Sequence, residues 1–234
     1  MNKRIEWIDV AKAIGIVLVI FGHAYDCYAR GYLYGFHMPL FFFLSGLTFK
    51  LGEDKRRFFW KKIKGILIPY CIYGIIRFAW ILLYNHFMHT AAAPSAASLA
   101  IGLFISIRNS DYSIGLWFLP LLFLAESVVY LVHSMKIKTI WKDLMIIAFA
   151  LAGFVYANYC GIYLPWGADA VPTAALFIYA GSRLRSVRPK LDMFNKWIYF
   201  FCAGALYTVS YFLTTSMFRR NGIVSAAYPD MYFD

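Results

Sequence analysis

Ile8-Asp9-Val10-Ala11-Lys12-Ala13-Ile14-Gly15-Ile16-Val17-Leu18-Val19-Ile20-Phe21-Gly22-His23-Ala24-Tyr25-Asp26 is apolar or small almost throughout, yet holds Asp9, Lys12, His23 and Asp26. A run of this length crosses the hydrocarbon core of a bilayer as one helix of about 20 residues. Ionisable groups inside such a helix cost about 2.5–3.5 kcal/mol each on insertion scales, so each is a candidate for function. At about 100° per residue, Lys12 falls about 60° and His23 about 40° from Asp9, and Asp26 follows His23 by one turn. The four groups form one polar stripe about five turns long, which must face protein or water. Met1-Asn2-Lys3-Arg4 precedes the run without a small-residue cleavage site after it, so the segment is expected to stay as a helix.

The rest of the chain agrees. Of 234 residues, 62% are hydrophobic, 20% aromatic and 15% charged, whereas soluble domains are nearer a quarter charged. Too few polar residues remain to coat a soluble core, and the aromatic content excludes disorder. The expectation is an all-α polytopic membrane helix bundle, a single domain over 1–234 with about seven spans. These lie near Ile8–Tyr28, Tyr34–Phe49, Ile63–Tyr84, Leu116–Ser134, Leu144–Tyr163, Pro165–Leu184 and Trp197–Met217. The sixth is interrupted by Gly167, Asp169 and Pro172.

With the N-terminus in the cytoplasm, seventeen of the 23 Lys and Arg fall on cytoplasmic segments and four outside, a strong positive-inside pattern. The net charge of +11 therefore reads as topology, not as nucleic-acid binding. Lys50–Arg57 is expected to be a cytoplasmic loop touching anionic headgroups. The outer segment Asn85–Gly115 contains the apolar stretch Leu99–Ile107, too short to span, which lies at the interface or dips back into the bundle. Cys27, Cys71, Cys160 and Cys202 show no metal or redox spacing and read as small buried hydrophobes. No metal site is expected.

His is the side chain that takes up a proton near neutral pH, and Asp26 is placed to orient the imidazole of His23 or steady its charged form. Lys12 suits an anionic ligand arriving from the cytoplasm. The competing reading for His23 is a hydrogen bond to a neighbouring helix. A second His opens His37-Met38-Pro39-Leu40-Phe41-Phe42-Phe43-Leu44-Ser45-Gly46. The short connection makes the first two spans antiparallel neighbours, with His23 and His37 at similar depth in the outer half. Pro39 falls near the expected helix start, where its missing N–H is harmless, and Ser45-Gly46 permits a close helix contact or a local bend. Arg77 and Glu126, in the third and fourth spans, read either as a buried ion pair or as groups on a substrate path. Trp117 reads as an interfacial anchor more often than as a sugar platform.

These residues resemble the acyltransferase 3 family of multi-pass membrane acyltransferases, in its sugar O-acetylase branch. The resemblance rests on Arg4-Ile5-Glu6-Trp7-Ile8-Asp9-Val10-Ala11-Lys12 with Val19-Ile20-Phe21-Gly22-His23, on Phe36 to Gly46, on Leu67-Ile68-Pro69-Tyr70 and on Leu116-Trp117-Phe118-Leu119-Pro120. A basic residue, ten others and then His is the specific part, and the signature covers roughly the first 125 residues. The resemblance implies a membrane O-acyltransferase of the bacterial plasma membrane. It would move an acyl group, usually acetyl, from cytoplasmic acyl-CoA to a hydroxyl of a cell-surface glycan or its lipid-linked precursor. Acyl-CoA enters as a donor substrate, with no tightly bound cofactor. By position, His23 is the catalytic His and Lys12 serves the donor. His37 lines the acceptor pocket or assists proton transfer, and Ser45 matches the motif without an assigned role. Asp26 supports His23, and Asp9, Arg77, Trp117 and Glu126 are carried as donor or substrate contacts. Family members have more spans than this chain holds. The expectation is therefore that its last helices are absent, the chain being a fragment, a truncated product or a half that needs a second copy or a completing partner chain. The rival readings are a glycan or small-solute transporter and an inactive remnant.

Overall fold

The computed structural model describes residues 6–24, 29–50, 52, 54–88, 95–107, 116–160 and 162–191. Among these, all regular structure is helical: α1 (Glu6–Ala24), α2 (Ala29–Leu47), α3 (Lys55–Lys62), α4 (Ile68–Met88), α5 (Ala96–Ile105), α6 (Phe118–Ser134), α7 (Thr139–Tyr159) and α8 (Val171–Leu191). A π turn, Ile63–Leu67, joins α3 to α4 into one rod, and a 3-10 turn, Pro165–Ala170, leads into α8. The expected seventh span, Trp197–Met217, lies outside the described residues.

Trp7–Ala24, Lys55–Tyr84 and Thr139–Tyr159 are long and apolar enough to cross a membrane, and His37–Leu47 and Phe118–Ser134 are shorter apolar helices. Large apolar side chains stand exposed along them, Ile20 at 62%, Trp80 at 67% and Leu151 at 60%. Soluble monomers rarely expose such surface. This is an all-α helical membrane protein.

The chain divides into two compact units: Met1–Phe49 with Phe177–Asp234, and Lys50–Leu176. In the first, α1 and α2 pack antiparallel. Ile8, near the start of α1, is buried against Leu44 and Leu47, near the end of α2, while Gly15 sits against the ring of Phe41. Also in this unit, Gly46 of α2 meets α8 backbone to backbone: a Cβ on Gly46 would lie 2.0 Å from the Ile178 carbonyl oxygen. Of the two readings of Ser45-Gly46, the close helix contact is the one found. The end of α2 is well satisfied. The Thr48 hydroxyl donates to the carbonyls of Leu44 and Ser45, and the Arg185 guanidinium donates to the Phe49 carbonyl at 2.6 Å, a cation where the helix dipole favours one.

Three expectations are corrected here. Helix α2 begins at Ala29, so Pro39 lies inside it and not at its start; the ring removes one bond of the helical ladder there. Lys55–Arg57 are not loop: Asp54 caps α3 by accepting from the backbone N–H groups of Arg56 at 3.1 Å and Arg57 at 3.4 Å. Cys71 and Cys160 are exposed free thiols. Apolar neighbours on a lipid-facing helix mean contact with acyl chains, so the usual link between hydrophobicity and burial fails. Cys27 and Cys202 lie outside the described residues.

In the second unit, the rod Lys55–Met88 packs its first turns on α6. Phe58 stacks on Tyr130 with ring centroids 4.1 Å apart, and Phe59 meets Phe123 edge-on. The short α5 is tied by its last carbonyls: the Tyr70 hydroxyl donates to that of Leu103, and the Trp166 indole Nε1 donates to that of Phe104 at 2.7 Å. Met88 ends α4 eighteen residues beyond Tyr70, about 27 Å along the axis. A chain that leaves α4 at Met88 has thus returned to the level of Tyr70 by Leu103, so α5 dips back along α4. Tying its terminal carbonyls to side chains is what an apolar setting demands. The interruption expected at Gly167 and Asp169 is the 3-10 turn, where Trp166 (φ 59°) and Gly167 (φ 65°) adopt left-handed conformations and Asp169 accepts from the Leu164 N–H at 3.2 Å.

Candidate functional site

The first unit holds Asp9, Lys12, His23, His37 and Ser45. On α1, the residues turned toward α2 are Ile8, Ala11, Gly15 and Gly22, spaced three, four and seven apart; Ile8, Gly15 and Gly22 are buried and Ala11 packs on the buried cluster. The polar stripe runs along one margin of this contact. Asp9 and Lys12 are half-buried and His23 is exposed, with the exposed side chains of Ile16 and Ile20 beside them. The stripe therefore borders the helix–helix seam and does not fill its centre. The missing side chain at Gly15 gives the Phe41 ring its place against α1.

On α2, His37 is 2% exposed. It shares a helical face with Phe41 and Leu44, the residues that meet α1. The antiparallel register, Ile8 against Leu44 and Gly15 against Phe41, sets His37 opposite the second half of α1. That is within about two turns of His23 along the axis. Ser45 is half-buried, one residue before the Gly46 crossing. Asp26, assigned to support His23, lies outside the described residues.

Arg77, Trp117 and Glu126 belong to the second unit. The reading of Arg77 and Glu126 as an ion pair is corrected: the Lys62 ammonium is 2.7 Å from Glu126 Oε1, with side-chain exposures of 28% and 3%. Arg77 stands fifteen residues beyond Lys62 on one continuous rod, about 22 Å along its axis, and is exposed. Trp117 directly precedes α6 without a capping hydrogen bond from its side chain and meets Phe118 edge-on. Sequence reasoning missed Lys62, the Tyr70 hydroxyl and the Trp166 indole. The first was findable, because Phe58, Lys62 and Ile66 recur every four residues on one helical face. The other two depend on where α5 returns, which no local pattern encodes.

Removing Lys62 strands the buried Glu126 carboxylate, whereas removing Glu126 leaves an ammonium that is 28% exposed. Lys62→Met alone is expected to lower stability by about 3–5 kcal/mol, and Glu126→Leu and the double substitution by much less. Thermal unfolding of the detergent-solubilised protein, run as a double-mutant cycle, checks this. Additive losses would show that the two side chains do not interact.

Among the described residues, no three His, Cys, Asp or Glu side chains gather as a metal site. No curated protein and no solved structure matches the chain. The family comparison does. The model described as "Acyltransferase domain" matches residues 5–232, well beyond the first 125 residues that carry the motifs, and the chain belongs to the acyltransferase 3 family.

Proposed function

We propose that the protein is a multi-pass membrane O-acyltransferase that moves an acyl group, acetyl in the first instance, from cytoplasmic acyl-CoA to a hydroxyl of an extracytoplasmic glycan. What supports this reading is the acyltransferase match over residues 5–232 in a chain whose α1 carries Lys12 and His23 on one side and whose α2 buries His37. In the reaction, the glycan hydroxyl oxygen attacks the thioester carbonyl carbon while neutral His23 takes the hydroxyl proton. The carbon–sulfur bond breaks as the tetrahedral intermediate collapses, and the imidazolium returns the proton to the departing thiolate. The products are an ester and free CoA thiol, so His23 ends as it began.

Each other residue supports one part. Asp26 steadies the imidazolium. Lys12, nearer the cytoplasmic end of α1, attracts the anionic donor, and Asp9 stands about 60° away on the same helix. His37 lines the acceptor side. Arg77 and Trp117 are carried as substrate contacts of the second unit. Glu126 acts there through Lys62.

The test is acyl transfer in membrane vesicles supplied with labelled acetyl-CoA. Transfer of label to glycan that depends on the protein supports the reading; glycan flux with no dependence on acetyl-CoA makes the protein a transporter. In the same assay Lys12→Ala is expected to raise the KM for acetyl-CoA about tenfold or more, the loss of one charge-assisted contact. An unchanged KM removes Lys12 from the donor path.

A further inference from the structure

Helix α3 has two unlike faces. Phe58 and Ile66 are buried and Lys62 reaches Glu126, so this side is committed to α6. Around the opposite arc of about 140° stand Arg56, Arg57, Trp60, Lys61 and Lys64, all exposed and lining one open concavity with Asp54. The Asp54 carboxylate is occupied in capping the helix, leaving a concentrated positive field. The Lys64 ammonium lies 5.8 Å from the centroid of the Trp60 ring, so indole and cation form one surface. The same flank then changes character. Past the π turn it continues into Ile68 at 44%, Ile72 at 51% and Ile75 at 57% exposure.

We propose that this face binds an anionic phospholipid, its headgroup phosphate held by Arg57, Lys61 and Lys64 and its acyl chains lying along Ile68, Ile72 and Ile75. The shared chemistry is phosphate recognition, which a soluble phosphate compound also offers. Two features select the lipid. Cations followed at once by an exposed apolar stripe on one flank match a molecule that is charged at one end and hydrocarbon at the other. A soluble phosphate compound gains nothing from the isoleucines. Trp60, beside the cations and before the apolar turns, occupies the level where an indole partitions to the membrane interface. Each basic group so placed is drawn to an anionic leaflet.

Native mass spectrometry of the full chain, released from nanodiscs of mixed phosphatidylglycerol and phosphatidylcholine, tests the site. The parent is expected to retain phosphatidylglycerol over phosphatidylcholine. Arg57→Gln/Lys61→Gln/Lys64→Gln is expected to lose at least tenfold in that preference, with binding of acetyl-CoA within twofold of the parent. The single Lys64→Gln, on an exposed side chain whose removal leaves the α6 face intact, is expected to lose about threefold and keeps the test valid if the triple variant does not fold. Lys136→Gln/Lys138→Gln, which lowers charge elsewhere, is expected to change the preference less than twofold. Equal retention of the two lipids by the parent overturns the proposal. So does an acetyl-CoA affinity that falls while phosphatidylglycerol retention holds, which would assign the face to a soluble phosphate compound.

Discussion

His23→Ala is expected to cut acyl transfer by roughly 10²–10⁴-fold, the usual contribution of a positioned general base, which equals about 3–5.5 kcal/mol of barrier. The structure makes this substitution unusually easy to interpret. His23 is exposed on α1, so its truncation opens no core cavity. A large loss of activity in a protein that unfolds at the parent temperature therefore reports chemistry. His37→Ala is the instructive contrast. His37 is 2% exposed on the face of α2 that meets α1, so its removal opens a cavity and is expected to lower both stability and activity. The assay is single-turnover transfer from labelled acetyl-CoA, with thermal unfolding measured on the same samples. His23→Ala that stays folded and transfers within threefold of the parent would remove the imidazole from the reaction.

The legibility of this chain follows from what a bilayer demands. Apolar runs of span length have few fates, so the first six expected spans each find their helix, and the Lys-rich stretches fall at helix ends. The finer misreadings share one cause: local pattern does not encode register between helices. Glu126 calls for a cation, and Arg77, in the preceding span, is the partner that the sequence suggests. The choice of Lys62 is decided by the stacking of Phe58 on Tyr130, which slides the rod along α6 and leaves Arg77 about 22 Å away. The start of α2 was misplaced for a related reason. The apolar run places the second span near Tyr34–Phe49, yet Ala29–Leu33 begin the helix, and Pro39 becomes an interior residue. In the candidate site, helical geometry alone placed Asp9, Lys12 and His23 on one side of α1. It did not reveal that the stripe borders the α2 contact, which depends on Gly15 and Gly22 turning inward. Similarly, Asp169 was legible as a break but not as the acceptor for the Leu164 N–H.

Gly46→Ala is expected to be among the most damaging single-methyl additions in the chain, costing about 3 kcal/mol or more. Overpacking usually costs about 1–3 kcal/mol because side chains move aside, and here the obstruction is backbone. The added Cβ would stand 2.0 Å from the Ile178 carbonyl oxygen and 3.0 Å from the Gly181 Cα, and the reciprocal Cβ on Gly181 would stand 2.2 Å from the Phe43 carbonyl oxygen. No rotamer change relieves either clash, so α2 and α8 would have to separate at their crossing. Membrane helices use such small residues because lipid supplies no hydrophobic drive, and close backbone approach provides the packing that does. A series grades the argument. At Gly15 the new Cβ meets only the tip of the Phe41 ring at 2.9 Å, which swings away at modest cost. At Gly65, in the π turn, it meets nothing within 4 Å, and Ala is expected to be neutral or slightly stabilising. Thermal unfolding in detergent should therefore rank Gly46→Ala and Gly181→Ala well below Gly15→Ala, with Gly65→Ala at the parent value. Should Gly46→Ala unfold alongside Gly65→Ala, the two helices do not cross at this glycine pair. The Arg185–Phe49 contact, three residues past Gly46 and just beyond the end of α2, would then lose the crossing that brings it into reach.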